Sequence, residues 1–436
     1  MKRFGLLSLS LLAVSTASAQ SIRPRPLGAV QYTSKELLGN VTLARALPNG
    51  GVIVNDVVRR RLLLLDPSLE NFTVIADSTS GAVNGYGQRP GALIPYVADS
   101  TLFLDATAGS LLVIDPTGKV TRVMSPPRPN DNNVIANFTN GFPGFDAKGR
   151  MVYRTNYPVV PGQARDGSIQ MPVRPDSAPL LRVDLDTRRA DTIATVRTAK
   201  FISNTITLPN GGTSMMQTQV PLATIDDWAV LSDGTIAVVR GADYKVDFLL
   251  PDGSKRTSPK IAFDWRRLDD EAKLFLIDSI VKARTAGPQG PGGGPMTIMS
   301  GGPVVMGGGG GGGRGEVERM TVVAGAAMAA GGPGGPGGLG GITLPAPVAA
   351  DLPDYMPAFT STSARPDADG NLWIRTSTPG SEPGNFVYDV INNQGTLVDR
   401  VDVPKGMTII GFGKGGTVYL SQREGYGVRV LKASIK

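Results

Sequence analysis

Short apolar runs recur along this chain, and polar turns separate them. Each run has four to eight residues rich in Val, Ile, Leu, Phe or Tyr, which is the length of a strand. The runs come in sets of four. The first two are joined by a polar turn, often with Gly, and the last two often by an Asp-Pro or Asp-Gly type of turn. The first unit reads 41–47, 51–56, 61–66 and 72–77, and the second 93–98, 101–105, 110–115 and 119–124. The third reads 141–146, 151–156, a long proline-bearing loop, 180–185 and 190–196. The fourth reads 224–231, 235–240, 245–250 and 255–262. After an interruption the fifth reads 355–363, 371–375, 385–391 and 397–403. The sixth, 407–413, 417–421 and 428–435, is one strand short.

Six similar four-strand units predict an all-β chain, a six-bladed β-propeller. The competing arrangement, a β-sandwich with irregular decoration, has no need of six such units. An open ring would leave a sheet edge exposed. Residues 27–33, after Pro24 and Pro26, are the expected donor of the missing outer strand, so an N-terminal strand completes the last blade.

Two segments stand outside the repeat. Leu268, Ala272, Phe275, Leu276 and Ile280 recur at helical spacing, with acidic residues 269–271 near the start and Lys282 and Arg284 at the end, both favourable to the helix dipole. A helical insertion is expected over 266–285, as a brace or lid on one face of the ring or as a plain connector. Residues 287–341 hold 24 glycines in 55 residues, a composition that predicts a disordered loop between blades four and five. Its run 307–313 lacks the lysine and hydroxyl that a phosphate loop needs.

The start of the chain changes the picture of where the ring works. Lys2 and Arg3 precede an apolar stretch, and Ala17-Ser18-Ala19 supplies the small residues of a cleavage site, so 1–20 reads as a signal peptide and 21–436 as one domain. The stretch is too short to span a bilayer, and with no cysteine there is no lipid-bearing thiol. The expected location is the periplasm or the extracellular space, with no membrane span after signal removal.

The formal charge of +7 is scattered, without a basic stripe or an aromatic platform, so no nucleic-acid partner is expected. Zero histidine and zero cysteine in 436 residues exclude Ser-His-Asp triads, Cys-His dyads, His- or Cys-ligated zinc, and imidazole or thiolate haem ligation within this chain. No resident cofactor is expected.

The segment Gly81-Ala82-Val83-Asn84-Gly85-Tyr86-Gly87-Gln88-Arg89-Pro90-Gly91-Ala92-Leu93 resembles the glycine-rich lead into a blade of NHL-like and TolB-like six-bladed propellers. Residues 99–105 and 111–118 resemble the core of such a blade. The ending, 369–375 through 416–420, is similar to exported bacterial propellers of uncharacterised function. The likeness covers about residues 27–265 and 351–436 and specifies a blade, not an activity. It departs at Arg89-Pro90 and in the long loop of the third unit.

In such a ring the inner strands begin, and the second strands end, on one face, and the loops there surround the mouth of the channel. The expected mouth residues are Tyr86, Arg89, Arg154, Arg240, Tyr244, Arg375 and Arg423, a cationic sector suited to a carboxylate, phosphate or sulfate. Arg–Asp pairing between blades is the competing role for these arginines. Trp228, Trp265 and Trp373 are expected to pack between blades, and Asp66, Asp115, Asp233 and Asp252 to shape turns. The function that follows is a non-catalytic binding or scaffold propeller with a small-molecule or protein partner. Likeness to gluconolactonase-like propellers implies an alternative, a metal-dependent lactonase or hydrolase with a Ca²⁺-type site of oxygen ligands. Asp56, Asp105, Asn156 and Asp227 are its candidate ligands, although the glutamate of that family's first inner strand has no counterpart in 41–47.

Overall fold

The computed structural model describes residues 22–79, 85–89, 91–128, 131–155, 162–163, 169–170, 175–207, 213–285 and 346–435. Asn156, the segment 1–20 expected to be a signal peptide and the glycine-rich run 287–341 lie outside the described residues.

Six antiparallel sheets follow one another along the chain. Blade one runs Val41–Ala46, Val52–Asp56, Arg61–Leu65 and Phe72–Ala76, and blade two Ala92–Pro95, Thr101–Asp105, Ser110–Ile114 and Val120–Met124. Blade three runs Gly144–Phe145, Met151–Arg154, Ser177–Val183 and Ala190–Arg197, and blade four Asp227–Val230, Ile236–Arg240, Lys245–Leu249 and Lys255–Thr257. Blade five runs Phe359–Pro366, Leu372–Pro379, Phe386–Ile391 and Leu397–Val403. Blade six runs Met407–Gly413, Thr417–Glu424 and Gly427–Ser434, and Val30–Thr33 pairs antiparallel with the last of these as its outer strand.

The ring closes because each second strand feeds two interfaces. Alternate side chains on a strand point to opposite faces. Val52 and Val54 therefore pack with Tyr419 and Val430 of blade six, while Ile53 packs with Leu93 and Phe103 of blade two. Leu102 and Leu104 meet Met151 and Tyr153 of blade three, and Val152 turns the other way toward Trp228 and Val238 of blade four. Val239 meets Leu372 and Ile374 of blade five, and Trp373 meets Val418 and Leu420 of blade six. Each blade is thus buried on both faces by its neighbours.

The turns follow backbone chemistry. Asp115 accepts from the Thr117 and Lys119 amides, and Asp233 and Asp252 each accept from the amide two residues on. Gly234 sits at φ +84, and a Cβ there would lie 2.2 Å from the Ala147 amide nitrogen of blade three, so this contact between blades admits only glycine.

Three features differ from the expectations. Arg25–Pro26 pairs parallel with Val401–Asp402, adding a short fifth strand to blade five. A hairpin of Phe201–Thr207 and Thr213–Gln219 stands between blades three and four, where no strands were expected. Trp265 is 38% exposed and stacks edge-on to Phe263 rather than packing between blades. The helix spans Asp270–Thr285 and buries Leu276 against Leu352 and Met356, with Leu268 and Leu222 beside them, and Ile280 is buried as well. Phe275 instead faces outward, 44% exposed. Leu222 precedes the inner strand of blade four and Leu352–Met356 that of blade five, so the helix braces the face where inner strands begin.

Candidate functional site

The channel wall between blades three and five carries three guanidinium groups, Arg154 and Arg375 on second strands and Arg365 deeper, next to last on an inner strand that begins at that face. Arg154 ends the second strand of blade three, and its Nη2 donates to the Asn140 side-chain oxygen. Asn140 is fixed in turn: its carbonyl accepts from the Trp228 indole at 2.9 Å, and its amide donates to the Val134 carbonyl at 3.2 Å. Arg365, on the inner strand of blade five, lies over the Phe142 ring at 4.3 Å. Arg375, on the neighbouring strand, lies 5.5 Å from the Phe386 ring centre and donates to Thr360 Oγ1 at 3.5 Å. Burial lowers the Arg154 and Arg365 guanidinium groups to about 10, so both stay charged at neutral pH. Arg375 adds to the lowering at Arg365, while Tyr388 and Asp227 oppose it.

Among the described residues no carboxylate forms an ion pair with Arg154 or Arg365. The nearest acid is Asp227, 4% exposed at the start of the inner strand of blade four. Its Oδ1 accepts from the Trp228 amide at 2.9 Å, and its Oδ2 from the Ser363 and Ala364 amides at 2.7 and 2.9 Å. Burial pushes its carboxyl up to about 6 against those hydrogen bonds and the attraction of Arg154. The two amides it holds in blade five belong to a bulge. Phe359 pairs with Thr376 and Ala364 with Ile374, so residues 360–363 stand opposite Arg375 alone. Thr362 in this bulge has φ +59.

The other expected mouth residues have different roles. Arg240 is neutralised by Asp226 at 2.8 Å and Asp247 at 2.7 Å, carboxylates of its own blade, so the pairing lies within blade four and not between blades as the competing role had it. Tyr244 is fully buried and donates to Asp389 Oδ2 at 2.8 Å, beside the Arg400 ion pair. Tyr86 is 3% exposed, donates to Asn55 Oδ1 at 2.7 Å and accepts from the Gly91 amide. Both tyrosines are core hydroxyls, placed there because their rings fill the seam between blades while a polar partner satisfies the oxygen. Arg89 is exposed and reaches Asn133, and Arg423 is exposed on the blade-six hairpin; neither joins the cluster.

The three described candidate metal ligands, Asp56, Asp105 and Asp227, do not come together. Asp56 is fully buried and accepts from the Gly39, Asn40 and Arg59 amides, with Arg61 at 3.5 Å. Asp105 accepts from the Thr107 and Ala108 amides of its own turn. With Asp227 they lie on blades one, two and four, each spent on backbone donors. Among the described residues no three acidic groups converge as metal ligands would. A cleft of about 400 Å³ is lined by Tyr86, Asp105, Thr107, Leu112 and Val123. Val123 belongs to an outer strand, which sets this cleft away from the axis. No helix among the described residues is long and apolar enough to cross a membrane.

Of the residues gathered here, the sequence pattern named Arg154 and Arg375 but not Arg365, Asn140 or Phe142. The available signal was the run Thr360-Ser361-Thr362-Ser363 inside an inner strand, where apolar residues are the rule.

No family model and no curated protein sequence matches this chain. Among solved structures it is similar to a gluconolactonase from Xanthomonas campestris, with TM-score 0.37 and 10% identity over 95% of this chain and 99% of that one. It is also similar to regucalcin, a calcium-binding protein from Agrobacterium tumefaciens, with TM-score 0.37 and 13% identity over 94% and 96% of the two chains. A third likeness is virginiamycin B lyase from Staphylococcus aureus, with TM-score 0.37 and 11% identity over 93% and 99%. At these values none of them transfers a residue role to this chain.

Proposed function

We propose that this chain is an exported, non-catalytic binding propeller whose channel mouth receives the anionic group of a small molecule or protein partner. The observation that carries this reading is the way two arginines are held. Arg240, Arg61, Arg128 and Arg429 all end on carboxylates, whereas Arg154 rests on an amide and Arg365 on an aromatic ring. A guanidinium oriented by neutral groups keeps its charge and its donor fork for a ligand carboxylate, phosphate or sulfate. Channel walls of low dielectric focus that charge.

Titration calorimetry with inorganic phosphate, sulfate and acetate tests the site. Binding of at least one of these anions is expected, and Arg365→Ala or Arg154→Ala is expected to weaken it by about tenfold or more, the worth of one charge-assisted hydrogen bond. Equal affinity in the wild type and Arg365→Ala would remove the proposal. Stoichiometric Ca²⁺ binding in a parallel titration would favour the metal-dependent hydrolase instead, with Asp227 exchanging its backbone donors for the ion.

A further inference from the structure

The anion site is built on a piece of backbone that regular pairing would not produce. The ladder between the first two strands of blade five is sound on both sides of residues 360–363, yet four residues there face one. A bulge of this size bends the strand and re-aims its side chains. Thr362 adopts φ +59, a left-handed conformation that a β-branched residue takes only when its surroundings impose it. The imposing contact is visible. The Ser363 and Ala364 amides, at the end of the bulge, both point at Asp227 Oδ2 from the next blade. The Ser363 side chain is buried, whereas Thr360, which meets Arg375, and Ser361 keep part of their surface open.

We propose that the bulge 360–363 is the recognition element of the channel mouth, and that Asp227 is its positioning residue. The Asp227 carboxylate clamps the bulge from blade four, so that the Thr360 hydroxyl and the Arg375 and Arg365 guanidinium groups meet one oxyanion together. This rests on the anion-binding reading above and adds to it that an acid is required inside a basic site.

That requirement gives the test a sign. If Asp227 acted on the ligand only through its charge, removing the charge would tighten anion binding. If it positions the bulge, its removal weakens binding although the site becomes more basic. The probe is inorganic phosphate, titrated into wild type, Arg365→Ala, Asp227→Asn and Asp227→Ala, with thermal melting in parallel to establish that each variant is folded. The expected result is phosphate binding in the wild type that depends on Arg365. Asp227→Ala should weaken it by about tenfold or more, and Asp227→Asn, which keeps an oxygen acceptor, should restore part of the loss. Folded Asp227 variants that bind phosphate as tightly as the wild type, or more tightly, overturn the positioning role and leave the site. Phosphate binding that ignores Arg365 overturns the site itself. Thr362→Gly covers the case in which Asp227 variants do not fold, because glycine accepts the same φ without imposing it. A folded Thr362→Gly protein with weakened phosphate binding supports a rigid bulge, and unchanged affinity argues against one.

Discussion

At the scale of single residues, Asp227 joins three blades through its neighbours and also sets a pH dependence. Burial raises its folded carboxyl from 3.8 to about 6, so between those values the folded chain holds a proton that the unfolded chain has released. Stability from this group therefore falls as pH rises from about 4 to about 6 and is level above that, by up to about 3 kcal/mol. Denaturant midpoints at pH 4.5 and 6.5 are expected to diverge more in the wild type than in Asp227→Asn, where this contribution is missing. Arg154 was legible in the sequence because it ends a second strand and the position of such an end follows from the repeat; Arg375 was legible because it stands on one, although Leu372–Pro379 runs on past the expected end. Arg365 was not legible. A period of two assigns alternate residues to opposite faces only while the ladder is continuous, and the four-residue bulge just before Arg365 breaks the count. Tyr244 and Tyr86 show the converse limit: their place in the chain was read, but nothing in the sequence tells an open turn from one covered by the next blade.

At the scale of elements, blades four and five are joined by a buried polar network as well as by apolar packing. Asp389 accepts from Tyr244 and from Arg400 Nε, while Arg400 also donates to the carbonyls of Ala262 and Ile22. Asp389 is fully buried and Arg400 is 8% exposed, so the pair must be satisfied internally. Asp389→Ala leaves a buried cation without its acid and is expected to cost about 3–5 kcal/mol. Tyr244→Phe removes one neutral donor and leaves the ion pair, with an expected cost of about 1–2 kcal/mol. Urea unfolding of the two variants measures the difference, and similar losses would show that the tyrosine, not the ion pair, holds this seam. The strands themselves were readable because each alternates apolar residues between two seams. The hairpin between blades three and four was not, because its run 201–219 is polar for the most part and carries no such alternation.

At the scale of the whole molecule, stability rests on closing the ring. Val30–Thr33 covers the outer edge of blade six, and Ser34 takes part through hydrogen bonds with Val430. Deleting residues through Thr33 uncovers the edge of Gly427–Ser434, and an exposed strand edge invites pairing with other chains. The expected outcome is a lower melting temperature and oligomers on size-exclusion chromatography. Arg25→Ala, which removes an ion pair whose arginine is 42% exposed, is expected to change stability by less than about 1 kcal/mol. The same seam dictates an order of assembly. Ser34 and Val430 are 396 positions apart, so during synthesis five blades emerge before Val30–Thr33 can meet its partner strand Gly427–Ser434, and contacts so distant in sequence form slowly. A circular permutant that starts at blade one and carries residues 22–33 behind residue 435 would turn this long-range closure into a local hairpin. Such a chain should reach its native state sooner than the natural order allows, with the same blades in the same places.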